Sequence, residues 1–412
     1  MDSVAHLVFC LLAQAAAPDP APPSGKPAEG VFKTLLKEVT LGGQARVRAE
    51  YRDPAGYATA AQLDEDDDQI LSRLRVNLTL AVEGNIDVFI QPQDARVFGE
   101  EASVASNEKN LDLHQGWIEV RKINDWPLSV RIGRQELQYG DQRLVSPLDW
   151  SNTGRAWDGV RVRYAAETFG VEGFYTGGKE GYGAVDDQDF YGIYASCSAV
   201  ESHEFDLYAL ARRFADNTFT DELGGVGDLK DVTFGGRVRG KAGAWDYSGE
   251  IVLQRGDYVD TDIDALAFAA TLGVTFDLPG TPRLGAEVTY ASGDEDPADG
   301  DRGTFDPLFP FFHAYQGYAD VFGWKNGIDY ALFLKVVPAE GWSAHLDVHA
   351  FFLEEDRDAW YGASGAAIRR DATGAAADDV GFEADLHAKY AWGKHVKFWG
   401  GVSRFFAGGF VH

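Results

Sequence analysis

From residue 39 onward the chain changes polarity at almost every second position, and few folds can use such a pattern. Val39, Leu41, Ala45, Val47, Ala49 and Tyr51 alternate with Thr40, Gln44, Arg46, Arg48, Glu50 and Arg52. Leu74, Val76, Leu78, Leu80 and Val82 alternate in the same way with Arg73, Arg75, Asn77, Thr79 and Glu83. Val160, Val162 and Tyr164 oppose Arg161 and Arg163, and Phe382, Ala384, Leu386, Ala388 and Tyr390 oppose Glu383, Asp385, His387 and Lys389. Side chains on a strand project alternately to its two faces, so each segment has an oily face and a charged face. The oily faces must be covered by one another or by lipid. The longest greasy stretch, Leu7 to Ala17, is too short for a helix to cross a bilayer, which needs about 20 apolar residues.

Chain length and the rhythm of the connections choose between the two covers. At 412 residues the chain exceeds the roughly 250 to 300 residues at which one dry core stops growing, whereas a large barrel escapes that limit by holding water. The alternating segments number about seventeen, most of roughly 10 to 14 residues, enough to cross a hydrocarbon layer at a tilt. Short turns fall near Gly84-Asn85, Asn124-Asp125, Glu167-Thr168, Glu201-Ser202, Gly240 to Gly243, Pro279 to Thr281, Ala339-Glu340 and Gly393-Lys394. Longer loops lie between them, near 53 to 68, 100 to 108, 138 to 154, 177 to 187, 216 to 228, 292 to 325 and 355 to 378. A transmembrane up-and-down barrel requires that parity, and a Greek-key sandwich does not. The 47 Gly, the single Met and the 13% aromatic content fit strands and tight turns. The sequence therefore predicts an all-β, antiparallel, membrane-spanning barrel.

Three domains are expected. Residues 1–17 read as a secretory signal with cleavage options at Ala13-Gln14-Ala15 or Ala15-Ala16-Ala17, although Asp2 stands where a basic residue is usual. Val8-Phe9-Cys10 is a poor lipoprotein box. Residues 18–37, with Pro18 to Pro27, read as a tether, and 38–412 as the barrel. After cleavage Cys197 stands alone, which excludes an intramolecular disulfide and a thiolate zinc site. The net charge of -28 excludes nucleic acid as a partner. That charge is concentrated in long loops, at Asp64 to Asp68, Asp186-Asp187, Asp294 to Asp301, Glu354 to Asp358 and Asp378-Asp379. Arginines sit instead on strands. Trp117, Trp126, Trp150, Trp157, Trp245, Trp342, Trp392 and Trp399 are expected near strand ends as a membrane-interface girdle, with stacking on sugars inside a pore as the alternative.

Arg-x-Arg pairs recur at Arg46/Arg48, Arg73/Arg75, Arg161/Arg163 and Arg237/Arg239, and residues two apart share a strand face. On a lumen wall they form a positive ladder. One reading is selection of anions, because fixed cations in a confined pore raise the local anion concentration. The other is a wall of mutually neutralising pairs, since Glu50, Glu83, Glu119 and Glu250 lie on polar faces too.

The segment Arg131 to Tyr164 carries Gly133-Arg134-Gln135-Glu136-Leu137, Tyr139-Gly140-Asp141-Gln142-Arg143, Asp149-Trp150-Ser151-Asn152, Arg155 and Trp157-Asp158-Gly159-Val160-Arg161. A C-terminal group adds Phe305 to Pro310, His313, Gly317, Asp320, Asn326, Asp358 to Tyr361 and Phe405 to Val411. In these blocks the chain resembles the alginate export family of bacterial outer-membrane proteins, from about residue 40 to its last residue. The resemblance implies an integral outer-membrane barrel of the 18-strand type, monomeric, whose arginine-rich lumen passes anionic polysaccharide or acidic oligosaccharide. It places Arg134, Arg143, Arg155 and Arg161 in the cationic lining beside Arg131 and the paired arginines. Glu136, Asp141, Asp149 and Asp158 are implied as the carboxylates that fix the guanidinium planes. An inward-folded loop clamped by these pairs is the architectural alternative. The family pattern continues into one more strand where this chain ends at His412, so either about 17 strands are present with the last one missing, or the count is off by one.

No G-x-S-x-G, P-loop or H-E-x-x-H motif is present, and no enzyme or cofactor is expected. His345, Asp347 and His349 share a face, but the two histidines lie roughly 13 Å apart at strand rise, too far for one metal; lumen polarity accounts for them. The acidic loops are expected to be solvated at the lipopolysaccharide surface, open to bridging by divalent ions; calcium binding is the alternative, although Asp294 to Asp301 does not fit the EF-hand spacing. A general diffusion porin of unspecified cargo, and a soluble carbohydrate-active β protein, remain as other readings.

Overall fold

With oily faces turned outward, a strand can satisfy its backbone groups only through neighbours on both sides, and the chain meets this requirement by meandering. The computed structural model describes residues 3–15, 36–53, 67–99, 108–177, 188–296 and 298–411. The first third holds β1 (Ser3–Ala15), β2 (Leu36–Arg52), β3 (Asp67–Val82), β4 (Ile86–Gly99), β5 (Lys109–Val120) and β6 (Leu128–Gln135). Then come β7 (Trp157–Ala165), β8 (Phe169–Gly177), β9 (Gln188–Cys197), β10 (His203–Thr220), β11 (Val226–Ala242), β12 (Trp245–Tyr258), β13 (Thr261–Thr275) and β14 (Arg283–Ala291). The remainder is β15 (Asp301–Arg302), β16 (Gly327–Val336), β17 (Trp342–Phe352), β18 (Ala359–Tyr361), β19 (Ala367–Arg370), β20 (Asp379–Trp392) and β21 (Val396–Ala407). Successive wall strands pair antiparallel, with β14 joined to β16 and β17 to β20. The short β15 runs parallel to β13, and β18 and β19 form a hairpin inside the last long loop.

Among the described residues, seventeen wall strands run from β2 to β21 inclusive, as the alternation predicts. The segment expected as the core of a secretory signal lies in this structure as β1, antiparallel to β2 through Leu11↔Val47 and to β21 through Leu11↔Phe398. As placed, it spans the seam that a missing last strand would leave. Two free sheet edges facing hydrocarbon would each carry backbone groups without partners, and β1 supplies those partners. Most of the expected tether, of the loops near 53 to 68, 100 to 108 and 177 to 187, and of the acidic runs at Asp64 to Asp68 and Asp186-Asp187 lies outside the described residues.

The faces sort as the period-two reading requires. On β2, Leu41 is 58% exposed on the outside, while Arg48 is 2% exposed on the inside. Short turns gather at one end of the barrel; at Gly84-Asn85 both residues have positive φ (79° and 61°), as a two-residue hairpin turn demands. At the other end, the loops at 136–156 and 292–326 fold inward. They bring Leu137, Val145, Phe305, Phe309 and Trp324 against the inward-facing strand residues Phe174, Phe190, Leu210 and Val252. A second cluster packs Phe322, Trp360 and Phe410 with Phe351 and Phe405. The long-loop end of the lumen is thus an apolar plug, because these side chains have no other place away from water.

The tryptophans divide accordingly. Trp126, Trp245, Trp342 and Trp392 are exposed at the short-turn end, where a girdle belongs. Trp117, Trp150, Trp157 and Trp399 do not join it. Trp117 lies under Arg131, Trp157 packs on Phe309, and Trp150 meets Trp399 edge-on at 5.3 Å. Parity puts Trp117, Trp157 and Trp399 on the inner faces of β5, β7 and β21, and the inward loop carries Trp150 there.

Placing a charge on the oily belt tests this orientation. Leu332→Arg, on a residue 64% exposed in the middle of β16, should cost about 2–4 kcal/mol in reversible unfolding from lipid vesicles. Leu223→Arg, in an outer loop, should cost less than about 1 kcal/mol.

Candidate functional site

Alternation puts Arg46 and Arg48 on the inner face of β2, and Arg73 and Arg75 on the inner face of β3. Cross-strand register sets Arg46 directly opposite Arg73 and Arg75 opposite Gln44. Four guanidinium groups therefore share one small buried patch of wall, and their repulsion must be offset by acceptors. The inward loop supplies them. Arg46 donates to the carbonyls of Asp149 (2.6 Å) and Ser151 (2.9 Å), and Arg48 donates to that of Trp150 (2.5 Å) with its guanidinium 4.1 Å above the indole. Arg73 donates to the Asp149 carboxylate (2.6 Å) and to Gln44 (2.6 Å); Arg75 donates to Gln93 (2.5 Å) and faces Glu136 and Asp149 at 3.4 Å. Arg48 also pairs with Glu50. Burial pushes the Asp149 carboxyl up, but Arg73, Arg75 and Arg46 outweigh it and hold the group below its usual range.

Further pairs pin the second inward loop. Arg155 donates to the carbonyls of Ser146 (3.1 Å) and Phe309 (2.6 Å), which joins the two loops. Arg143 pairs with Glu287 at 2.6 Å and lies 3.8 Å over the Tyr315 ring. Arg212, on β10, grips both Asp231 and the loop residue Asp306 at 2.7 Å. Burial opposes ionisation of Asp306, yet Arg212 and Lys325 hold its carboxyl far below the ordinary range.

The other predicted residues fall out as follows. Arg131 pairs with Glu119 (2.9 Å) over Trp117, and Arg161 with Glu172 (3.6 Å). Arg237 binds Asp141 (2.8 Å), Glu204 and Asp206, and Arg239 binds Glu204 (2.7 Å). Arg163 is exposed at the short-turn end of β7. Arg134 does not line the lumen. It stands three residues from Arg131, hence on the opposite face of β6, and holds Asp158 in a two-pronged contact (3.0 and 2.7 Å) on the outer wall. Of the implied partners, Asp158 does fix Arg134. Asp149 and Glu136 instead serve the arginines of β3, and Asp141 serves those of β11.

Gly133 and Gly159 explain part of the motif around these residues. They are cross-strand neighbours, and a Cβ on either would come within 2.3 Å of the Gly116 carbonyl oxygen or 2.2 Å of that of Tyr175. Only glycine allows the neighbouring backbone to approach this closely; Gly133 also has φ of 128°.

Below the plug, on the short-turn side, lies a cavity of about 950 Å³ roofed by His313, Tyr315 and Tyr318. Its wall mixes ion pairs, such as Arg283–Asp246 at 2.5 Å, with free cations. Among the described residues, Arg163, Lys241, Lys335, Lys389 and Lys397 point to this end of the lumen without an ion-pair partner. Glu38 and Glu83 occupy the arc near β2 and β3. The four lysines went unsingled in the sequence, although their inward parity was readable. The sequence leaves open whether the arginines select anions or clamp an inward loop; that they are largely spent on loop carbonyls depends on where two loops go.

Loss of the clamp has a definite expected outcome. Arg73→Ala should loosen residues 147–153, read as faster amide exchange there and as larger, noisier single-channel conductance. The cost in stability should be about 1–3 kcal/mol, since Asp149 is itself half exposed.

The family described as Alginate export matches residues 37–412. Pseudomonas aeruginosa OpdO is similar in structure, with a TM-score of 0.52 at 12% identity over 98% of this chain and 95% of that one. Pseudomonas aeruginosa OccK11 (OpdR) is similar with a TM-score of 0.51 at 9% identity, again over 98% and 95%. At such identities the likeness is one of fold. Among curated proteins, none matches.

Proposed function

Because this chain belongs to the alginate export family and is an integral outer-membrane β-barrel channel, we propose that it passes anionic solutes, acidic polysaccharide or oligosaccharide among them, as a monomer. One observation carries the reading: Lys241 and Lys389 line the cavity, and Lys335, Lys397 and Arg163 lie on inward-facing positions at the same short-turn end. Among the described residues these five make no close ion pair, although register sets Lys241 opposite Asp246, and half-exposed Arg239 stands among them. In a confined, partly desolvated space such groups raise the local anion concentration and speed entry. The buried arginines act one step removed. Arg46, Arg48, Arg73, Arg75 and Arg155 hold the inward loops, and the loops set the width of the path.

On this reading the short-turn mouth gives the charge preference and the plug gives the gate. Tyr315 and Tyr318 stand over the cavity on the way to the long-loop end. No reaction is needed, and the chain's acids and histidines serve as polar lining. A general diffusion porin is the second reading, favoured by the near balance of charge in the cavity wall, where Asp141, Glu204, Asp246, Glu287 and Asp347 face Arg143, Arg239, Arg283 and the lysines.

Planar-bilayer recording separates the two. Replacing Lys241, Lys335 and Lys389 together by Glu should lower the anion-over-cation permeability ratio by about threefold or more, while Arg73→Ala leaves the reversal potential in place. A reversal potential unmoved by the triple change would refute the selectivity claim. Polyuronate fragments should block the current where neutral oligosaccharides of equal length do not; equal block by both would favour the general porin.

A further inference from the structure

The cavity wall contains a cluster that the anion reading leaves unused. His345 and Asp347 lie two apart on the inner face of β17, and register sets His387 of β20 directly opposite His345. The two imidazoles stack at 4.5 Å with an interplanar angle of 16°, and His387 Nδ1 lies 3.8 Å from Asp347 Oδ2. One ligand atom from each of the three residues falls within 4.8 Å of the others.

The residue expected to compete, His349, is engaged elsewhere: its Nδ1 is 2.9 Å from Asp329. The two-histidine arrangement dismissed from the sequence was the wrong pair, because the second imidazole comes from the neighbouring strand. A second observation points to a ligand. His387 is 4% exposed, yet among the described residues its Nδ1 has no hydrogen-bond partner. Its Nε2 lies 3.4 Å from the Tyr318 hydroxyl. With Nε2–H donating to Tyr318, the Nδ1 lone pair is left directed at Asp347. That is the tautomer a metal-binding histidine needs, with an outer partner fixing the ring.

We propose that His345, Asp347 and His387 form a binding site for a divalent transition metal of the zinc class, with an open coordination position towards the cavity. Tetrahedral zinc with bonds near 2.0–2.2 Å needs ligand atoms about 3.3 Å apart, which small side-chain rotations achieve from the present spacing. Two neutral imidazoles and one carboxylate leave the bound ion a net positive charge, so its fourth ligand is water or a solute carboxylate. Lys335 sits opposite His345 and Lys389 is two residues from His387. These cations oppose weakly held ions, so the site selects metals with strong imidazole affinity over magnesium and calcium.

Cobalt is the probe, because it reports coordination by visible d–d absorption in the purified, detergent-held full-length barrel, independently of conduction. One Co²⁺ per barrel should bind, be displaced by Zn²⁺, and resist Mg²⁺ and Ca²⁺. His345→Ala and His387→Ala should each weaken binding by at least about tenfold, and His395→Ala, in a turn outside the cluster, should not change it. If the alanine variants lose the heat-modifiable mobility of a folded barrel, Asp347→Asn, which keeps the shape, should show the same weakening. Absence of a saturable cobalt site, or undiminished binding in the folded His345→Ala/His387→Ala protein, would overturn the assignment. Either result leaves the channel reading untouched, since that reading is judged by reversal potentials.

Discussion

In hydrocarbon a strand has no water to satisfy its amides and carbonyls, so each must find them in the strand on either side and the sheet must close. Closure creates a lumen, and the size of the lumen decides everything that follows inside it. A ring of this many strands is too wide for opposing side chains to meet across it. The chain fills the difference with its own loops at one end and leaves a cavity at the other. The oily belt, the plug and the cavity are three consequences of one rule about backbone hydrogen bonds.

The charges obey a second rule that the first imposes. Arginines buried in a plugged lumen need acceptors, and removing a guanidinium from water without them is costly. Here the acceptors are mostly carbonyl oxygens of the inward loop, at Asp149, Trp150 and Ser151, with carboxylates completing the sets. Carbonyl dipoles fix the loop's path without cancelling all of the positive charge. The division of labour follows from depth: cations beside the plug are consumed by structure, and those at the short-turn mouth remain available. The same cross-strand geometry that stacks Arg46 against Arg73 stacks His345 against His387, where no loop arrives to claim the free ring nitrogen.

How much of this was legible can be judged residue by residue. The inward placement of Arg46, Arg48, Arg73 and Arg75 was readable, since parity along a strand is a local property. Arg134 was misplaced by reading its family motif while overlooking its odd spacing from Arg131, which the same parity would have caught. A girdle is the usual place for tryptophans near strand ends; the inward parity of Trp157 on β7 is local and readable, whereas the loop that carries Trp150 inward is not a local feature. The partner exchange among Glu136, Asp141 and Asp149 was hidden for the same reason.

By itself the sequence determined the strand class, the number of wall crossings between β2 and β21, which face of each strand meets lipid, and the family. All of these depend on neighbours in the chain, on a period of two and on the alternation of short and long connections. Only the tertiary structure decided that the arginine ladder clamps loops, that the free cations are the lysines of the short-turn end, and that β1 spans the seam. It also decided that a histidine from β20 completes a cluster begun on β17. Those facts rest on register and on the course of long loops, which bring together residues tens to hundreds of positions apart.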